Sequence, residues 1–119
     1  MEDTSMSKYL FLLWQDLSNG PAPGTPEADR EFAAYGTMFE EANKAGVFQG
    51  GDPVQPVAQT VRVRHGSTES TKGGFSSSTE QPIGYYVLDC KDDTDAATWA
   101  ARIPAAARGA IEVRPILVM

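Results

Sequence analysis

The segment Lys8-Tyr9-Leu10-Phe11-Leu12-Leu13-Trp14 limits the possible folds more than any other part of the chain. It is apolar at odd and even positions alike and too short for a globular helix, so neither face of a strand built from it can rest in water. It predicts a central strand covered on both sides. Residues 18–26 then hold three prolines and two glycines, through which no regular element passes.

Thr25 followed by Pro26 gives an N-cap and a first-turn proline, and Glu27 and Asp29 stand where the helix dipole favours negative charge. The helix that starts there carries Ala28, Phe32, Tyr35, Phe39 and Ala42 as an apolar stripe, and Gly46 supplies its stop. Residues 57–65 alternate. Val57, Val61 and Val63 point one way and Thr60, Arg62 and Arg64 the other, which predicts a half-buried strand with a polar face. Residues 83–90 read as another strand, with Tyr85, Val87 and Asp89 on one face and Tyr86, Leu88 and Cys90 on the other. Asp92-Asp93-Thr94-Asp95 offers helix caps, and Ala96, Trp99, Ala100 and Ile103 form a short helical stripe that Pro104 ends. Residues 110–118 make a last strand, which Pro115 assigns to a sheet edge or a bulge.

The stretch HGSTESTKGGFSSSTEQPIGYY, residues 65–86, is longer than the roughly 2–6 residues that usually join elements. A short hairpin strand around residues 68–71 and a turn at Gly73-Gly74 account for part of it. The order is then strand, helix, strand, hairpin strand, strand, helix, strand. This α+β pattern resembles the ferredoxin-like split βαβ, one domain over residues 1–119 with both helices on one sheet face. The other face needs a cover, and a homodimer is the simplest one.

Charge narrows the partners. The net charge is −6, and no basic cluster exceeds Arg62-Val63-Arg64-His65, so nucleic acid is not an expected partner. The longest apolar run falls far short of the roughly 20 residues that span a bilayer, so no membrane is expected either. One unpaired cysteine, Cys90, in an apolar run fits a reducing cytoplasm.

Six blocks resemble the YCII-related family, in particular its DGPF subgroup: residues 8–13, Ala45-Gly46-Val47 with Gly50-Gly51, residues 59–62, residues 84–89, residues 99–104, and residues 112–115. The resemblance implies a dimeric α+β barrel with a cleft lined by the polar sheet face. It does not imply one reaction. Where the subgroup reads Asp-Gly-Pro-Phe, this chain has Lys72-Gly73-Gly74-Phe75, an acid replaced by a base and a rigid residue by a flexible one. The helix histidine of related proteins aligns near Ala34, while Asp16 matches the related acid.

Asp16, closing an apolar strand, is a candidate general base if desolvation raises its pKa, and otherwise a cap. Arg62, on the polar strand face, is a candidate clamp for a carboxylate or enolate, or else a structural ion-pair member. His65, the single histidine, is a candidate proton shuttle or a solvated turn residue. Glu80, the acid retained from the family pattern, completes the catalytic set. Trp14, Lys72, Phe75 and Tyr86 are the candidate substrate-binding residues, with core, interface or turn roles as alternatives. No metal site and no cofactor are expected, because one histidine lacks a second ligand at metal spacing. The expected function is small-organic-ligand binding, with cofactor-independent proton transfer, elimination or cyclisation in secondary or aromatic metabolism as its enzymatic form. The alternative is a non-catalytic interaction or regulatory protein, such as a sigma-factor accessory.

Overall fold

A computed structural model describes residues 5–119. The opening apolar run forms β1 (Ser7–Gln15), and a short 3-10 turn (Leu17–Asn19) follows it. Helix α1 (Pro26–Lys44) begins as expected: the Thr25 hydroxyl accepts from the Ala28 N–H, and Pro26 is its first residue. The chain continues through β2 (Phe48–Pro53), β3 (Gln59–Arg64), β4 (Ser67–Lys72), β5 (Gln81–Cys90), α2 (Asp93–Ala100), α3 (Ala105–Arg108) and β6 (Ala110–Pro115).

Four strands form one sheet in the order β2-β5-β1-β6, every neighbouring pair antiparallel. β1 and β2 both pair with β5, so α1 carries the chain between parallel strands with a third strand inserted. That is the split βαβ arrangement of an α+β fold. β6 lies at an edge and stops at Pro115, earlier than residue 118, as a residue without an N–H requires.

The core forms on one face of this sheet. Tyr9, Phe11 and Leu13 of β1 stand beside Leu88, Tyr86 and Gly84 of β5, and Met38 and Ala42 of α1 and Ala96, Trp99 and Ala100 of α2 close over them. Phe11, Leu88, Cys90 and Ala96 have no exposed surface, and burying a large side chain in this way stabilises the fold by about 1.5–3 kcal/mol. On the opposite face Leu10, Leu12, Trp14, Tyr85 and Val87 stay half-buried and no helix lies over them. β1 is therefore central, but within one chain only one of its faces is covered.

Three expectations need correction. β2 was not foreseen, because Gly50, Gly51 and Pro53 are poor strand residues; pairing with β5 overrides that local preference. The expected half-buried strand over residues 57–65 is instead β3, which pairs only with β4 in a separate two-stranded sheet. Apart from Thr60 its residues are exposed, Val61 by 55% and Val63 by 68%. The turn of that hairpin is His65-Gly66, both with positive φ, and not Gly73-Gly74.

The α1 stripe is also displaced. Met38 and Ala42 enter the core and Tyr35 is half-buried, while Phe32 is 81% and Phe39 44% exposed. At about 100° per residue, Phe32 and Phe39 stand roughly a quarter turn from the core-facing line. They border a cavity.

Candidate functional site

A cavity of about 540 Å³ opens between α1 and the β2–β5 edge of the sheet. Its helix wall is Phe32, Tyr35, Gly36 and Phe39; its sheet wall includes Phe48, Gly51, Ile83 and Tyr86. The size lies within the roughly 300–1,000 Å³ of small-molecule sites, and the lining is mostly apolar as those sites are.

Glycines shape this space. Gly36 sits inside α1, where glycine costs about 0.5–1 kcal/mol relative to alanine, and a Cβ there would meet nothing within 4 Å. The helix thus forgoes stability at the position that faces the opening. Gly51 has the opposite role. A Cβ there would lie 2.5 Å from Cδ1 of Tyr86 and 2.7 Å from the Tyr85 carbonyl, so only glycine lets β2 pass the Tyr86 ring.

Aromatic rings of the helix and sheet walls meet edge to face. The centroids of Phe39 and Phe48 are 4.8 Å apart at 75°, and those of Phe48 and Tyr86 are 6.2 Å apart at 70°. Burial pushes the Tyr86 hydroxyl up from its ordinary pKa. Burial, then the charge of Glu31, pushes Tyr35 up to about 12, while a backbone hydrogen bond with Ala105 acts in the other direction. Both are therefore neutral hydroxyls near pH 7. Asp52, on the rim, accepts from the Tyr85 hydroxyl at 2.8 Å, and this bond raises the Tyr85 pKa.

The sequence profile of the YCII-related domain matches residues 11–119. The chain belongs to the YCII-related family. It is also 30% identical over 113 residues to an uncharacterized protein of Rhizobium meliloti (strain 1021), covering 91% of this chain and 90% of that protein.

Of the eight residues singled out in this YCII-related sequence, Tyr86 alone lines the cavity. Asp16 closes β1 but caps the 3-10 turn, accepting from the Ser18 N–H at 2.9 Å and the Ser18 hydroxyl at 2.7 Å. These bonds lower its pKa because they favour the charged form, which matches the cap reading and not the raised pKa of the general-base one. Glu80 lies at the same end of the sheet, just before the Gln15 and Gln81 pair, and its N–H donates to the Ser78 hydroxyl. Trp14 stands on the helix-free face and donates its indole N–H to Glu112 at 3.1 Å.

The remaining three candidates and Arg62 belong to the β3–β4 hairpin and its exit. Arg62 does not project into a cleft: its guanidinium lies 4.9 Å from the centroid of Phe75, a ring that is itself 76% exposed. His65 occupies the turn with φ of 51°, and Lys72 ends β4 opposite Gln59, exposed. The structure therefore places Asp16 and Glu80 at the same end of the sheet and Arg62 against Phe75, with Tyr86 apart from both at the cavity. The cleft lined by a polar sheet face is replaced by an apolar cavity on the helix-covered face.

Sequence reasoning passed over Tyr35, Gly36, Phe48 and Gly51 as site residues. A signal existed for one of them: Gly36 interrupts the α1 pattern on the side of Phe32 and Phe39. Phe48 and Gly51 carried none, since their strand was itself unrecognised. Among the described residues, no group of three or more histidine, cysteine, aspartate or glutamate side chains could hold a metal ion.

Proposed function

We propose that this chain is a small-molecule-binding YCII-related protein whose ligand occupies the cavity between α1 and β2–β5. The observation that carries the reading is the cavity wall itself, where Gly36 leaves space inside a helix and Gly51 holds β2 against Tyr86. The half-buried Leu10, Leu12, Trp14, Tyr85 and Val87 support a homodimer of the α+β barrel kind, formed by that face against a second copy. The blocks of resemblance support placement beside the DGPF subgroup, with Lys72 in the position of its acid.

Between ligand binding and cofactor-independent catalysis, the geometry favours binding. A general base must stand within hydrogen-bond reach of its proton with a pKa near the working pH. The tyrosine hydroxyls at the cavity have raised pKa values, and the one carboxylate among the lining residues, Asp52, is exposed on the rim and accepts from Tyr85. A panel of small organic compounds screened by thermal shift tests the proposal. Compounds that stabilise the wild type and lose their effect on Gly36→Leu support it; stabilisation that survives Gly36→Leu places the ligand elsewhere.

One observation favours a second reading, an interaction protein: the uncovered Val61 and Val63 of β3. A complex with a purified protein partner that is abolished by Val61→Glu and Val63→Glu, together with no ligand binding by the wild type, would decide for it.

A further inference from the structure

The chemistry of the cavity wall selects among ligands. None of its lining residues is lysine, arginine or histidine, so an anion entering it would lose water with no cation to receive it. Two acids stand close: Asp52 on the rim, and Glu31, whose charge acts on Tyr35. Only Glu31 is paired with a cation. Asp52 accepts from Tyr85 at 2.8 Å, and Glu31 receives Arg108 at 3.1 Å, where Arg108 also bridges to Glu27 at 2.8 Å.

The polar groups that remain are hydroxyls. Tyr35 is engaged with the Ala105 backbone. The Tyr86 hydroxyl makes no hydrogen bond to any described residue, yet it is not among buried atoms without a partner, so it remains accessible. It can donate to or accept from a ligand. Phe39, Phe48 and Tyr86 meet edge to face, which leaves ring faces for a flat apolar body.

Resting on the ligand-site reading above, we infer that the cavity takes a flat aromatic molecule without an anionic group, with one hydroxyl or carbonyl group directed at Tyr86. Carboxylates of the same shape are discriminated against, and the hydroxyl of Tyr86 fixes the orientation of the ring.

Two naphthalene probes of nearly equal size test this on the full chain at pH 7: neutral 1-naphthol and anionic 1-naphthoate. Each is titrated into 15N-labelled protein, with the amide signals of Gly36, Gly51 and Gly84 as local reporters, so that no variant has to fold. The expected result is that 1-naphthol moves these three signals and binds at least about tenfold more tightly than 1-naphthoate, the discrimination expected when a charge is desolvated without a partner. Tyr86→Phe is expected to weaken 1-naphthol several-fold, the loss of about one neutral hydrogen bond. If 1-naphthoate moves the same signals with equal or higher affinity, the inference is overturned while the location of the site stands. If no probe moves them at millimolar concentration, the inference is overturned as well, and the compound panel with Gly36→Leu decides the location independently.

Discussion

Gly50 and Gly51 are neighbours in β2 with opposite surroundings, and substituting each by alanine separates local preference from tertiary packing. At Gly51 the new Cβ would stand 2.5 Å from Cδ1 and 3.2 Å from Cε1 of Tyr86, and 2.7 Å from the Tyr85 carbonyl oxygen. The ring can rotate away, but the carbonyl belongs to the backbone of β5, which pairs with both β2 and β1. Relief therefore requires β2 to move outward, and such overpacking costs about 1–3 kcal/mol. In a chain of 119 residues each kcal/mol lowers Tm by roughly 3–5 °C, so Gly51→Ala is expected to melt about 3–15 °C below the wild type. At Gly50 a Cβ meets nothing within 4 Å, and alanine there restricts the unfolded chain, which stabilises by about 0.4–1 kcal/mol. Thermal and urea unfolding followed by far-ultraviolet circular dichroism measures both. Equal midpoints for the two variants, or Gly50→Ala the weaker, would refute the claim that β2 passes the Tyr86 ring closely and with it this description of the cavity wall.

Cys90 is fully buried, and burial followed by the charges of Asp95, Asp89 and Asp92 pushes its thiol up to about 12. Above pH 9 the unfolded chain loses this proton while the folded chain keeps it, so stability falls as pH rises from about 9 towards 12. In urea unfolding over pH 8–10.5, Cys90→Ala should show a shallower loss than the wild type; identical slopes would contradict the burial of the thiol. Asp16 titrates below the ordinary carboxylate range in the folded protein and should move upward in Ser18→Ala, as read by carboxyl 13C NMR; its stabilising contribution is present above the unfolded pKa and lost as pH falls through the folded one. Val61→Thr with Val63→Thr should leave stability within about 0.5 kcal/mol, because both side chains are exposed in the single chain. A larger loss, growing with protein concentration, would show that they are covered in an oligomer.

Much of the architecture was legible because local chemistry and tertiary packing agree there. The Thr25 and Pro26 start of α1, the Asp92 cap of α2, and the alternation of Tyr86, Leu88 and Cys90 all appear as read. Ala96, Trp99, Ala100 and Ile103 are buried together. The failures share one cause. Alternation in β3 gives a pleated strand, but nothing in alternation states whether a second layer covers the valines, and none does among the described residues. Arg62 was assigned to a cleft by that same alternation, which set His65 on the valine face at a strand end; with the strand outside the main sheet, Arg62 meets Phe75 and His65 occupies the turn. At Asp16 the structure shows the cap reading, since Ser18, two residues on, holds its carboxylate in the charged form.

The sequence by itself determined which segments become helix or strand wherever capping residues or apolar periodicity were strong, because those signals act within a few residues. It also determined that β1 is central, through a run with no polar face. Which strands share a sheet, and where a cavity opens, depended on contacts between residues far apart in the chain. Gly51 is ordinary until β5 places Tyr86 against it, and Phe32 and Phe39 look like core until Met38 and Ala42 take the inward side of α1. The candidate site is therefore a product of tertiary packing: its walls come from β1, α1, β2 and β5, and only their assembly leaves the space that a ligand could fill.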